Sequence, residues 1–251
     1  MRPLFDREGM HALEVVLRAQ PLLAFDFDGT LAPLVQRPDD ARVPVEVSRS
    51  LDQLAQLRPV AVVTGRSVAD VARRLGFSPR FIVGNHGAED PGRSARLDVS
   101  CLDELRAHLA SHAAELDAAG VQVEDKRFSL ALHYRVARDQ DRAQACIQAL
   151  LAGLDPRLRP FGGKFVVNVV LAGAPDKGDA VASLLQRADC GVAVFVGDDV
   201  NDEAVFARAL PNWLTVRVGR DDPQSRAGFF LSDHSEVELM LNAMLAVLRA
   251  P

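Results

Sequence analysis

Two aspartates, Asp26 and Asp28, are separated by one phenylalanine where the apolar run 22–27 ends. A carboxylate can attack phosphorus and form an acyl phosphate, which divides a difficult hydrolysis into two easier steps. A second acid two residues on can protonate the departing oxygen and then deprotonate the attacking water. Strand alternation would put both side chains on one side, and Gly29 would let the chain turn tightly beneath them. A solvated Asp-Gly turn would account for the same pair, so the other polar clusters must decide. Thr64 and Arg66 follow the apolar run 60–63, and Asp198, Asp199 and Asp202 follow the run 192–196. In an open parallel sheet, ligands bind beyond the C-terminal ends of the strands. Three such clusters point to one site.

Five carboxylates gathered at a sheet edge would repel one another and raise their own pKa values. A positive partner is therefore required. No histidine cluster or Cys-x-x-Cys pair is present, so an oxygen-preferring cation is expected, with Mg²⁺ the default because it needs few carboxylates. Lys177 opens a helical stretch in Pro175-Asp176-Lys177-Gly178. A cation there opposes the helix dipole. Beside an acidic, phosphate-binding site it has a role; elsewhere it would be a solvated lysine.

The elements that must position these residues follow from periodicity. Short buried runs at 22–27, 60–63, 81–83, 192–196 and 214–218 alternate with helical patterns at 45–57, 68–75, 177–188 and 203–210. That alternation implies a parallel sheet in an α/β fold. Residues 229–231 read as an edge strand and 237–248 as a closing helix. The middle differs: a helix over 102–116, strands over 121–124 and 129–134, a helix over 140–151, and strands over 158–161 and 164–170. Adjacent strands of this kind pair antiparallel. The sequence thus predicts a discontinuous α/β domain, 1–90 and 173–251, interrupted by an α+β insert over 91–172.

At 251 residues, 48% hydrophobic and 25% charged, the chain has the composition of a soluble globular protein of one large domain or two modest ones. Its net charge of −5, without a Lys/Arg block, argues against nucleic acid. Cys101, Cys146 and Cys190 are odd in number and far apart, so a disulfide framework is not expected. Residues 1–20 mix acids and bases and lack an apolar signal core. With no run long enough to span a bilayer, a cytoplasmic protein without membrane partners is expected, and a monomer would suffice.

Asp26-Phe27-Asp28-Gly29-Thr30, Thr64-Gly65-Arg66, Lys177 and Gly197-Asp198-Asp199-Val200-Asn201-Asp202 together resemble the four motifs of the haloacid-dehalogenase (HAD) superfamily of phosphatases. The α+β insert between the second and third motifs resembles that superfamily's C2-type cap on a Rossmann-like core. Within the superfamily, Asn85-His86-Gly87-Ala88-Glu89, Val123-Glu124-Asp125-Lys126, the stretch 129–135 and Gly163-Lys164-Phe165-Val166-Val167 resemble the trehalose-6-phosphate phosphatase family.

The resemblance implies that Asp26 is the nucleophile and Asp28 the acid/base, that Thr64 hydrogen-bonds the phosphoryl group, and that Lys177 bridges it to Asp26. It also implies Mg²⁺ on Asp26, the Asp28 backbone carbonyl and Asp198, with Asp199 and Asp202 close by. A sugar phosphate would be bound by Arg66, Asn85, His86, Glu89, Lys126, His133, Arg135, Lys164 and Asn168. The chain departs from the family at Asn168 and at Val170-Leu171, where glutamate and then Arg-Pro are usual, and at Arg127 and Asn201, where glycine and threonine are usual. Those departures keep open a phosphatase for another sugar phosphate, such as sucrose 6-phosphate or mannosyl-3-phosphoglycerate. A non-catalytic sugar-phosphate sensor is the alternative outside the enzyme class.

Overall fold

In a computed structural model, which describes residues 1–93, 97–163, 165–220 and 222–250, the chain divides into two compact units. One comprises Met1–Pro91 and Pro175–Pro251, the other Gly92–Ala174. In chain order the first unit begins with β1 (Arg2–Pro3), α1 (Arg7–Arg18), β2 (Leu22–Phe25), α2 (Val45–Ala55), β3 (Val60–Val63), α3 (Val68–Ala72) and β4 (Phe81–Val83). The second unit contains α4 (Ser100–Ser111), α5 (Ala113–Ala119), β5 (Gln122–Asp125), β6 (Ser129–His133), α6 (Gln140–Leu150), β7 (Leu158–Gly163) and β8 (Val166–Leu171). The first unit then resumes with α7 (Lys177–Ala188), β9 (Ala193–Gly197), α8 (Glu203–Phe206), β10 (Leu214–Val218), β11 (Phe229–Leu231) and α9 (Ser235–Arg249).

The first unit is built on a seven-stranded parallel sheet in the order β1-β11-β10-β9-β2-β3-β4. Strand alternation divides the apolar side chains between its two faces. Leu23, Phe25, Val62, Val194 and Val196 pack with Leu13 and Leu17 of α1, Leu51 and Leu54 of α2, and Met240 and Met244 of α9. Leu22, Ala24, Ala61, Val63 and Phe195 pack on the other face with Val181 and Leu184 of α7 and Val205 and Phe206 of α8. From β2 the chain builds outward through β3 and β4, then returns at β9 and builds the other way. The strand order therefore reverses between β2 and β9, and a crevice opens at the C-terminal ends of strands at such a reversal. Asp26 and Asp198 are the residues that immediately follow those two strands.

In the second unit a four-stranded antiparallel sheet runs β5-β6-β8-β7. Leu130, Leu132, Val169 and Leu171 turn one face toward Leu102 and Leu105 of α4, Leu116 of α5 and Ile147 of α6. The opposite face carries the cross-strand row Glu124, Ala131, Asn168 and Phe161, and beside it the row Gln122, His133, Val166 and Gly163.

Two expectations change. Strand β11 is not the sheet edge, because Arg2 and Pro3 pair with Phe229 and Phe230 outside it. Pro3 has no N–H to offer a further strand, which suits it to the outermost position. The N-terminal segment of mixed charge forms α1, started by the Asp6 side chain, which accepts from the Gly9 N–H at 2.6 Å. The helix expected over 102–116 breaks at His112. There the Ser111 hydroxyl and His112 Nδ1 lie 2.7 and 3.0 Å from the His108 carbonyl oxygen, competing with the backbone ladder. Among the described residues no helix is long and apolar enough to cross a membrane.

Candidate active site

The strand-to-loop step after β2 delivers Asp26 into the interior. Its N–H donates to the Val196 carbonyl at 2.9 Å, extending the β2–β9 ladder by one residue. Beyond it the chain reverses at once, with the Gly29 N–H donating to Ala32 O and the Ala32 N–H to Phe27 O, both at 2.8 Å. Gly29 has φ +78°, and a Cβ there would overlap the Asp198 carboxylate. Only glycine satisfies both the left-handed backbone and that approach.

Asp26, Asp198 and Asp202 are buried and bring carboxylate oxygens within 4.8 Å of one another. Lys177, only 1% exposed, lies among them, its Nζ 2.8 Å from Asp26 Oδ1 and 2.7 Å from Asp202 Oδ1. Its position is set by the start of α7, where Asp176 and Asp179 form a reciprocal capping box. Burial alone would push the lysine down in pKa, but the Asp202 and Asp26 charges outweigh it and hold the ammonium above its ordinary range. Burial pushes Asp26 well above the usual carboxylate range; Asp202 and Asp198 add to this and Lys177 opposes it. Three buried carboxylates beside one ammonium carry a formal surplus of two negative charges when all are ionised. A divalent cation is the matching group, and an all-oxygen donor set suits a hard one.

Not every carboxylate is available to such a cation. Asp202 Oδ2 accepts the backbone N–H groups of Asp198 and Asp199, each at 2.9 Å, while its Oδ1 accepts from Lys177. Asp199 turns away into its own loop, with Oδ1 accepting from the Val200 N–H at 2.8 Å and Oδ2 from the Asn201 amide at 3.1 Å. Asp202 therefore shapes the loop after β9, and Asp26 and Asp198 are the other two carboxylates of the buried cluster.

Asp28 is held from another direction. Arg66, on the loop after β3, approaches it as a fork, Nε to Oδ2 and Nη2 to Oδ1, each at 2.7 Å. Thr64 is fully buried at the end of β3, and its hydroxyl accepts from the Arg66 N–H at 3.2 Å. After β4, Asn85 and His86 both adopt left-handed backbone, φ 50° and 57°, a conformation costly outside glycine. Glu89 braces this loop: its Oε2 accepts from the Asn85 amide at 2.7 Å and from the Val68 N–H, at the start of α3, at 2.9 Å. The His86 N–H donates to the Thr64 carbonyl at 2.9 Å, and its ring packs against Gly65.

The second unit contributes its own cluster. Glu124 accepts from His133 Nε2 at 2.9 Å and lies 3.5 Å from Lys126 Nζ. Burial would raise the Glu124 carboxyl, but His133 and Lys126 outweigh it and bring it down to about 2. Asn168 shares that sheet face and is itself buried. The Arg135 guanidinium lies 5.9 Å from the centre of the Phe165 ring. Lys164 lies outside the described residues.

The structure thus gathers Asp26, Asp28, Thr64, Arg66, Lys177, Asp198 and Asp202 at the C-terminal ends of β2, β3 and β9, and Lys126, His133 and Asn168 about one sheet of the other unit. Glu124, quoted above only as part of a family-like stretch, and the pair Asp70 and Arg74 behind Arg66 were not among the site residues expected from the sequence. The first stands two residues before Lys126 on an alternating strand. The second pair continues the four-residue helical spacing from Arg66.

The trehalose-phosphatase family model matches residues 24–233. A trehalose-phosphate phosphatase of Mycobacterium marinum (strain ATCC BAA-535 / M) is 32% identical over 221 residues, 83% of this chain and 56% of the relative. Its counterpart in Mycobacterium leprae (strain TN) is 33% identical over 239 residues, 85% of this chain and 54% of the relative. The chain thus spans little more than half the length of these relatives. Among solved structures, the C-terminal domain of the Candida albicans (C. albicans) trehalose-6-phosphate phosphatase aligns with TM-score 0.81 at 22% identity, covering 98% of each chain. An Aspergillus fumigatus trehalose-6-phosphate phosphatase aligns with TM-score 0.63 at 24% identity, over 97% of this chain and 98% of that one. These two likenesses concern the fold. The family match over most of the sequence, with the four polar motifs brought to one sheet edge, establishes that the chain belongs to the trehalose-phosphatase family.

Proposed function

We propose that this chain hydrolyses trehalose 6-phosphate to trehalose and phosphate through an aspartyl-phosphate intermediate on Asp26. The observation that carries the reading is the buried Asp26–Lys177–Asp202 array beside the Arg66-held Asp28, at the reversal point of the sheet. An Asp26 oxygen attacks phosphorus as the bond to the sugar oxygen breaks, and Asp28 donates the proton that makes the sugar a neutral leaving group. Asp28 then takes a proton from water as it attacks the acyl phosphate, which releases phosphate and restores both carboxyls. Lys177 orients Asp26 and offsets its charge. The Thr64 hydroxyl is in place to donate to a phosphoryl oxygen while accepting from the Arg66 N–H.

Asp26 and Asp198 would hold Mg²⁺, with the Asp28 carbonyl as the third protein ligand that the family resemblance implies. When bound, the ion offsets negative charge on the carboxylates and the phosphoryl oxygens. We assign the unit Gly92–Ala174 to sugar recognition, as a cap, through Glu124, Lys126, His133 and Asn168. Arg135 and Lys164 are the further cations proposed for the phosphate. Asn85, His86 and Glu89 are assigned to shaping the loop after β4, because their side chains engage one another and the chain around Thr64 and α3. The three cysteines are free thiols, which fits a reducing cytoplasmic setting.

Phosphate release tests the reading, measured with Mg²⁺ and with chelator on trehalose 6-phosphate, sucrose 6-phosphate, glucose 6-phosphate and mannosyl-3-phosphoglycerate. A kcat/KM preference for trehalose 6-phosphate that disappears with chelator is expected. A preference for another sugar phosphate would reassign the specificity at Asn168 while keeping the chemistry. No turnover on any of them would overturn the enzyme reading.

A further inference from the structure

Arg66 is a heavily engaged side chain beside the site. A guanidinium has five N–H groups, and four of them are taken. Nε and one Nη2 hydrogen go to the two oxygens of Asp28 at 2.7 Å, the second Nη2 hydrogen to the Pro38 carbonyl at 2.9 Å, and one Nη1 hydrogen to Asp70 Oδ2 at 2.8 Å. Its carbon lies 5.2 Å from the centre of the Phe27 ring, and the residue is 8% exposed. An arginine free to clasp a phosphate would keep its fork open; here the fork is closed on a carboxylate of the same protein.

Asp70 is held in turn. Arg74 donates to it from Nε at 2.9 Å and from Nη2 at 2.7 Å, and donates from Nη1 to the Asp39 carbonyl at 2.6 Å. Both guanidinium groups therefore bridge one carboxylate on α3 to the carbonyls of residues 38 and 39. Burial would raise the Asp70 carboxyl, yet Arg74 and Arg66 outweigh it and hold it at about 2. The charges alternate along Asp28, Arg66, Asp70 and Arg74, and only the first belongs to the reaction proposed above.

We infer that Arg66 and Asp70 are positioning residues that aim the Asp28 carboxyl at the leaving oxygen, Arg66 by direct two-point contact and Asp70 through Arg66. This inference rests on Asp28 being the acid of the first step. Two parallel hydrogen bonds fix the plane of a carboxyl as well as its distance, which one-point contact with lysine does not. The clamp thus serves proton delivery rather than phosphate binding.

Leaving-group dependence tests it. The parameter is kcat/KM, which for this two-step reaction reports events up to departure of the first product. Trehalose 6-phosphate expels an alkoxide that needs a proton, whereas 4-nitrophenyl phosphate expels a stable phenolate that does not. Asp28→Asn, Arg66→Lys, Arg66→Met and Asp70→Asn would be compared with the wild type on both substrates, with folding checked by circular dichroism and thermal melts. Loss of positioned acid catalysis is worth about 10²–10⁴-fold.

Asp28→Asn should lie within that range on the sugar phosphate, and both Arg66 variants near its lower end, with losses under about 5-fold on the aryl ester. Asp70→Asn should lose about 10-fold on the sugar phosphate alone. Equal losses on both substrates for the Arg66 and Asp70 variants, beside a selective loss for Asp28→Asn, would overturn the clamp and leave the acid assignment standing. An unselective Asp28→Asn would overturn the acid assignment and the clamp with it. Should Arg66→Met fail to fold, Arg66→Lys and Asp70→Asn carry the same test.

Discussion

The two units handle charge in opposite ways. Around Asp26 the ionised groups are buried and their partners are other protein atoms: Lys177 reaches two carboxylates, and Asp202 uses one oxygen on that lysine and the other on two backbone N–H groups. On the sheet of the second unit, the Glu124 side chain is 46% exposed and holds Lys126 and His133 by single contacts. Buried pairs persist only when geometry and hydrogen bonding are nearly complete, whereas exposed pairs contribute little and rearrange readily. The difference separates a closely held, buried cluster from a more exposed polar face held by single contacts.

The largest effect that would break this comparison is at the nucleophile. Asp26→Asn should reduce kcat on trehalose 6-phosphate by at least about 10⁴-fold, with circular dichroism unchanged; residual turnover near the wild-type rate would remove Asp26 from its role. Next is Lys177→Met, which removes the one ammonium between two buried carboxylates. Breaking such a pair costs about 3–5 kcal/mol, so urea unfolding should show a large fall in midpoint together with loss of activity. A neutral result would mean that the array is not fully desolvated.

Acid stability gives a smaller effect. The Asp70 carboxyl sits at about 2 in the folded chain against 3.8 as its ordinary value. Its folded value is depressed, so its contribution is fully present above pH ~4 and disappears as pH falls through about 2. At 1.36 kcal/mol per unit this amounts to about 2 kcal/mol. Asp70→Asn should flatten the acid limb of stability between pH ~4 and ~2 in chemical denaturation, and an unchanged limb would contradict the tight Arg66–Asp70–Arg74 contact.

The smallest expected change in stability is at the exposed cluster. Glu124→Gln should shift the unfolding free energy by less than about 1 kcal/mol yet raise KM for trehalose 6-phosphate more than for 4-nitrophenyl phosphate. Equal KM changes would place Glu124 outside sugar recognition.

Much of this was legible in the residue order. Asp26 and Asp28 at the end of an apolar run, Lys177 after a helix-capping aspartate and the aspartates after β9 carry their chemistry in type and local spacing, because strand ends and helix starts are local events. The α/β class followed from the same alternation. The helix break at His112 was hidden because it depends on two side chains competing for one carbonyl. The β1–β11 pairing was hidden because it joins residues more than two hundred positions apart.

By itself, then, the sequence determined the fold class, the family and the set of acids and bases available for chemistry, since each is written in periodicity or in short motifs. Only the tertiary structure decided how those groups divide the work. It spends Asp202 on backbone N–H groups and Lys177, turns Asp199 into its own loop, gathers Asp26 and Asp198 beside Asp202, and closes Arg66 on Asp28 across 38 residues of sequence. A carboxylate has few lone pairs and a guanidinium few hydrogens. Which of them remain for substrate is a matter of what the folded chain has already taken.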